Sequence, residues 1–243
     1  MFIEPASLAQ NPIQLESIEK ASLRMVAQAV FDFRQSAIAI FQSESDLVQD
    51  IGEDLTREAL DRMGVSRVDE RLFGKIDYKR ARYYFHPDFA VRQALFVDSK
   101  AEQISGQGTA TLQTAQTSMR MRHIRAGVPQ DVAGSLPTVV QTPKGDFLST
   151  TIFVKYNYTD LEQGSRLERI TLAALPNGML QDTYNPSPEV GFWLAGRNAP
   201  LRGEPFRVRV SFPRLKAARR WRVQSIPLPP DPFIWDDDPV TSQ

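Results

Sequence analysis

Two stretches near the N-terminus carry apolar residues at helical spacing. Ile18, Met25, Ala29, Phe33, Ala37 and Ile40 recur at roughly that spacing, and Asn11-Pro12 offers a cap followed by a first-turn proline, so a long helix is predicted to about Phe41. Leu47, Ile51, Leu55, Ala59 and Met63 stand four apart and predict a second helix from Asp46, which Gly64 can end. Both stripes read as core-facing. Over residues 72–100 the pattern shifts to β-branched and aromatic residues. "LFGKIDYKRARYYF" and "AVRQALFVDSKAE", separated by the turn-like "HPDF", predict two strands, arranged as a hairpin.

The polar, small-residue stretch 103–118 predicts a loop and then a short helix. Strands are expected at 150–159, where Ile152, Val154, Tyr156 and Tyr158 alternate, and at 166–175. "LPNGMLQDTYNPSPEVGFWLAG" is rich in turn residues and reads as irregular. "PFRVRVSF" (205–212) alternates cleanly, and a short basic helix is expected from Pro213. The tail "PLPPDPFIWDDDPVTSQ" is too proline-rich for regular structure. With no repeat and no clear linker, residues 1–243 are expected to form one α/β domain, with 227–243 as a proline-rich acidic tail.

Composition narrows the function classes. With 42% apolar and 24% charged residues in 243, the chain reads as a soluble globular protein. It has no apolar run long enough for a membrane span, and "MFIEPASLAQ" does not have the layout of a signal peptide. The absence of cysteine removes disulfides and the usual structural zinc sites. His86 and His123 are the only histidines, which argues against a histidine-based metal site; both are expected in turns or at the surface. Net charge is zero, but nine basic residues (Arg197, Arg202, Arg207, Arg209, Arg214, Lys216, Arg219, Arg220, Arg222) crowd a segment whose one acid is Glu204. Three aspartates, Asp236 to Asp238, follow in the tail.

Candidate chemistry sits where the apolar run "LFV" meets "DSK". Asp98 and Lys100 are two apart on a predicted strand and therefore share a face. Asp77, in "KIDYK", ends the other predicted strand, and pairing of the two would let Asp77 and Asp98 converge. Carboxylates that close repel unless a cation lies between them, and Mg²⁺ prefers such oxygen ligands. The Ser99 carbonyl could add a further oxygen, and Lys100 could orient an attacking water or neutralise charge developing on a phosphoryl group. The plain alternative is a surface ion pair at a strand end. Glu53 and Asp54 on the second helix are secondary acids that either reach this site or face solvent, and Glu102 stands in the same position.

An acid, about twenty residues, then acid-x-Lys is the pattern of the PD-(D/E)xK nucleases. Further blocks extend the resemblance: "LESIEKASLR", "FGKIDYKRAR", "LFVDSKAE", "TTIFVKYNY", "YNPSPEVGFWLAG" and "RGEPFRVRVSFPRLKAARRWRVQ" together resemble the SfiI-like type II restriction endonucleases, collinearly from about residue 13 to residue 226. The resemblance implies a restriction-endonuclease-like α/β fold, a central mixed sheet flanked by helices. It implies magnesium-dependent cleavage of double-stranded DNA at a GC-rich interrupted palindrome by a homotetramer, in the prokaryotic cytoplasm. It places the catalytic acids and lysine on Asp77, Asp98 and Lys100.

For reading the DNA, Arg207, Arg209 and Ser211 share one face of "PFRVRVSF", opposite Phe206, Val208, Val210 and Phe212. Arginine donates two parallel hydrogen bonds to guanine O6 and N7, so this face suits base contacts. Arg197, Arg202, Lys216, Arg219 and Arg220 suit phosphate contacts. A two-fold palindrome calls for at least a dimer. The rival readings are a repair or junction nuclease of the same fold and a DNA-binding module without catalysis; the latter would break the acid-x-Lys triad, which is intact here.

Overall fold

Asn11 accepts the Gln14 amide on its side chain (3.1 Å) and Pro12 takes the first helical position, which together start α1, Pro12–Ser43. Leu15, Ile18, Leu23, Val26, Val30, Phe33, Ala37 and Phe41 form its buried stripe. α2, Val48–Arg62, buries Ile51, Leu55 and Ala59, whereas Met63 lies just past the helix end and is exposed. The computed structural model describes residues 2–43, 48–63, 82–86, 88–104, 108–196 and 207–239. Asp77, Arg197 and Arg202 lie outside them, as does most of the first predicted strand.

β1, Arg82–His86, and β2, Val91–Gln103, pair antiparallel with Arg82 opposite Leu95, the expected hairpin. Where a loop and short helix were expected, the chain forms a strand, β3, Thr109–Leu112, and then a single 3-10 turn, Thr114–Gln116. β3 is short and half polar, but Ala110 and Leu112 alternate inward and are buried. A second hairpin follows, β4, Arg120–Arg125, and β5, Val128–Ala133, turned by Ala126 and Gly127 at φ 47° and 79°. Next come β6, Val139–Thr142, β7, Gly145–Asp160, and β8, Ser165–Leu175. The stretch read as irregular holds α3, Gln181–Tyr184, and β9, Trp193–Ala195. β10, Val208–Ser211, α4, Phe212–Ala218, and β11, Val223–Ile226, complete the order.

The large sheet runs β1-β2-β7-β8-β11, with β6 also on β7. β2 and β7 are parallel and the other pairs antiparallel. A smaller sheet, β3-β10-β9, covers one face. Phe153, Ala173 and Val223 of the large sheet meet Leu112, Trp193, Val208 and Val210 of the smaller one. On the other face, Ile152, Val154, Tyr156 and Leu172 meet Phe33, Phe41 and Leu55 of the two long helices. Being covered on both sides, β7 is buried from residue 148 to 158 without alternation. Each strand therefore sends odd and even residues to different layers. On β2, Ser99 and Ala101 go to the helices, whereas Asp98 and Lys100 go to the smaller sheet's side.

The tail has no helix or strand, as its prolines suggest, but it is fastened. Phe233 lies 5.8 Å from the Phe31 ring, and Trp235 lies 5.0 Å beneath the Arg24 guanidinium. Asp237 pairs with Lys20 at 2.6 Å, Asp236 with Lys216 at 2.6 Å and Arg220 at 2.8 Å, and Asp238 accepts the Arg220 amide. Deeper, Arg222 and Glu19 form a fully buried pair at 2.7 Å, and Arg222 also donates to Tyr184 and to the Ala174 carbonyl. Burial pushes the Glu19 carboxyl above the ordinary range despite Arg222 beside it. The histidines are not surface residues: His86 and His123 are 5% and 1% exposed, and desolvation lowers the pKa of both. Among the described residues no helix is long and apolar enough to cross a membrane.

Candidate active site and DNA-facing strand

The close approach of α2 to β2 builds the site. Gly52 sits directly on the strand, where an added Cβ would be 3.0 Å from the Ala101 nitrogen and 3.2 Å from the Lys100 carbonyl carbon. A side chain there would hold the helix off, so glycine allows the contact. One turn on, Thr56 accepts from Ser99 Oγ (2.7 Å) and shares a hydrogen bond with the Tyr156 hydroxyl (3.0 Å), pinning the strand from behind. The next residue after Gly52, Glu53, lines a cleft of about 590 Å³ with Ser99, Lys100, Glu102, Gln103 and Tyr158.

On the other face, Asp98 is nearly buried and Gln116 Nε2 donates to its Oδ1 at 2.6 Å. Its Oδ2 is buried, accepts no hydrogen bond among the described residues, and has Lys100 Nζ at 3.3 Å. Desolvation raises the Asp98 pKa, Lys100 opposes that, and the nearby Glu53 charge raises it further. Lys100 lies 5.7 Å from the Phe153 ring centroid. Asp98, Lys100 and Glu53 are thus brought together. Asp54 turns instead to Arg57 on its own helix. Glu102 is not simply solvated: Lys155, buried in β7, reaches it at 2.7 Å. Gln116, Thr56 and Lys155 carried no signal in the sequence; each reaches β2 from another element.

β10 is the middle strand of the smaller sheet, with Val208 and Val210 buried and Arg207 and Arg209 on the opposite face. Arg209 donates to the Thr109 hydroxyl across the sheet, and Arg207 Nε is buried with no hydrogen-bond partner among the described residues. Ser211 caps α4 rather than standing free beside the arginines. The remaining basic residues separate. Lys216, Arg219 and Arg220 meet carboxylates of the chain itself: Asp236 for Lys216 and Arg220, Glu16 and Asp238 for Arg219. They lie near β11, three strands from β2 in the large sheet. Arg222 is buried altogether.

Comparison with known proteins agrees with this geometry. A family profile described as "Type II restriction enzyme SfiI" matches residues 27–226. The type II restriction enzyme SfiI of Streptomyces fimbriatus is 35% identical over 228 residues, covering 88% of this chain and 84% of that protein. The crystal structure of tetrameric SfiI bound to cognate DNA superposes with a TM-score of 0.74 and 32% identity, over 87% of this chain and 84% of that one. The restriction endonuclease BglI, solved on its DNA recognition sequence, shares the fold with a TM-score of 0.71 at 16% identity, over 93% and 94% of the two chains. A match of this length and identity, on a mixed sheet that carries an intact Asp-x-Lys within the strand that pairs parallel to β7, places the chain in the SfiI family of type II restriction endonucleases.

Proposed function

We propose that this restriction endonuclease hydrolyses double-stranded DNA in a Mg²⁺-dependent reaction at a GC-rich interrupted palindrome, working as a homotetramer in the prokaryotic cytoplasm. The observation that carries the chemistry is Asp98, whose buried Oδ2 accepts no hydrogen bond among the described residues while Lys100 Nζ stands 3.3 Å away. A desolvated carboxylate oxygen with unused lone pairs fits a hard cation with oxygen ligands. The groups assigned to hold it are Asp98, the Ser99 carbonyl and Asp77, with Glu53 as a secondary acid. Asp77 lies outside the described residues, and its assignment rests on the spacing to Asp98-x-Lys100 in the sequence. When bound, Mg²⁺ would offset phosphate charge and make water acidic enough to attack phosphorus near neutral pH.

The chain's own groups do the rest. Gln116 fixes Asp98 through Oδ1, and the Ser99–Thr56–Tyr156 hydrogen bonds hold the strand in place behind it. Lys100 Nζ donates to the attacking water or to a phosphoryl oxygen and stabilises the charge that develops there. Attack is in line, and the bond to the 3′ oxygen breaks, leaving a 5′-phosphate and a 3′-hydroxyl. Arg207 and Arg209 read guanines; the Arg207 Nε, without a hydrogen-bond partner among the described residues, leaves a donor for a base acceptor. Arg197 and Arg202 take phosphates, whereas Lys216 and Arg220 do so only when the tail releases them, and Arg219 only when it also leaves Glu16.

The test is digestion of a plasmid in Mg²⁺ followed by sequencing of the ends. A few discrete fragments whose ends share one interrupted palindrome are expected. Random fragmentation, or structure-dependent nicking without sequence preference, would favour a repair or junction nuclease instead.

A further inference from the structure

Lys155 is 1% exposed in the middle of β7, flanked by Val154 and Tyr156, and stands opposite Lys100 in the parallel register. An ammonium this deep is costly unless paired, and an aliphatic side chain would fill the same space. Its Nζ contacts two elements at once: Glu102 Oε2 on the catalytic strand at 2.7 Å and the Thr109 carbonyl at the start of β3 at 2.8 Å. Thr109 is opposite Ser211 on β10, and its hydroxyl accepts from Arg209. A continuous polar chain, Arg209–Thr109–Lys155–Glu102, therefore links the arginine strand to the catalytic strand. Glu102 follows Lys100 by two residues and shares its face.

We propose that Lys155 is a positioning residue that transmits the seating of Arg209 on DNA to the Asp98–Lys100 strand, so that correct base recognition sets the rate of cleavage. The proposal rests on the reading that β10 meets base edges. Lys155 is the buried link of this chain, and a buried ammonium held by two partners keeps them in one arrangement, since losing either contact costs its desolvation. When Arg209 engages a base it shifts Thr109, and Lys155 carries that shift to Glu102. Loss of the link would leave DNA bound but the catalytic strand insensitive to which bases are present.

The test uses the full-length oligomer and the cognate duplex identified from the sequenced ends. Lys155→Met combined with Glu102→Gln removes the link without leaving a buried unpaired charge. Thr109→Val breaks it at the Arg209 end and keeps the Lys155–Glu102 pair, so it serves as the readout should the double variant not fold. Single-turnover cleavage in Mg²⁺ is measured on cognate and single-base-variant duplexes, with binding measured in Ca²⁺ and folding by thermal melting. The cognate rate should fall on the order of tenfold, a small displacement of reacting groups sufficing for that. Binding and the variant-site rates should change far less, so the cognate-to-variant ratio collapses. Glu102→Gln alone, which retains the Lys155–Thr109 contact and offers an amide oxygen in place of the carboxylate, should keep most of the ratio. An unchanged ratio in both link variants, with rates on all duplexes falling together or not at all, would overturn the coupling and leave Lys155 a structural residue. A wild-type protein that cuts no DNA would instead remove the reading beneath it and the coupling together.

Discussion

At Asp98 two demands meet. The side chain is desolvated, which raises its pKa, yet its Oδ2 has the Lys100 ammonium at 3.3 Å and accepts no hydrogen bond among the described residues. Asp98→Ala should abolish cleavage and leave Ca²⁺-supported DNA binding largely intact, and Lys100→Ala should do the same; near wild-type cutting by Asp98→Ala would refute the site. Arg207 and Arg209 lie about 7 Å apart along β10, by strand rise. Arg207→Ala or Arg209→Ala should cost about 1–3 kcal/mol of discrimination per lost bidentate contact in binding to cognate and single-base-variant duplexes. A change in salt dependence alone would make the strand a phosphate clamp. The acid-x-Lys pair was legible because two residue types at a fixed spacing end an apolar run. Gln116, Thr56 and Lys155 were not, because a lone polar residue in a strand or turn does not announce the neighbour it will meet. The count of nine basic residues overstated the basic surface, since Arg222 turned inward to Glu19 and Lys216, Arg219 and Arg220 to nearby acids.

The long helices and the strands β7, β8 and β10 were legible at the scale of elements because burial imposes a period on them. β3 escaped because four residues, half of them polar, give no period to read. The β4–β5 hairpin had a signal, the Ala126-Gly127 turn at positive φ, suited to a two-residue hairpin loop. The tail lacks helix and strand as its prolines suggest, but its composition gave no sign of the aromatic and charged contacts that fasten it. The carboxyl of Asp236, hydrogen-bonded by Lys216, and that of Asp237, held against its own desolvation by Lys20, both lie below the ordinary aspartate value of 3.8. Folded pKa values below the unfolded ones give docking that is complete above that value and lost as the pH falls through the depressed ones. Tail hydrogen exchange should therefore stay slow at pH 5 and accelerate only in stronger acid; release already at pH 5 would contradict the pairing. Replacing Asp236 and Asp238 by Asn should free Lys216 and Arg220 and steepen the salt dependence of DNA binding by about one unit per new phosphate contact.

At the scale of the whole molecule, Arg222, at the end of the 3-10 turn Arg220–Arg222 that precedes β11, ties that turn to α1 and β8. Arg222→Met should destabilise the fold by about 3–5 kcal/mol in denaturant titrations, because Glu19 is left buried and unpaired. Pairing it with Glu19→Gln should recover much of the loss; no recovery would mean that packing, not charge, holds this junction. Assembly is the other property at this scale. A palindrome read by identical arginine strands needs symmetric copies. Sedimentation should therefore show at least a dimer, and a tetramer if the chain assembles as SfiI does in its DNA-bound crystal structure; a monomer both free and on DNA would sink the assembly and the palindrome with it.

The parallel pairing of β2 with β7 also bears on time. Residues 104–144 intervene between the catalytic strand and the neighbour that fixes it, so during synthesis the Asp98–Lys100 face emerges well before its support. At roughly 5–20 residues per second, a nascent chain spends several seconds with its catalytic residues made but unassembled. If the proposed site is right, chains halted before Gly145 should cut nothing although Asp77, Asp98 and Lys100 are all present. DNA nicking by such stalled chains would show that the catalytic strand stands without β7.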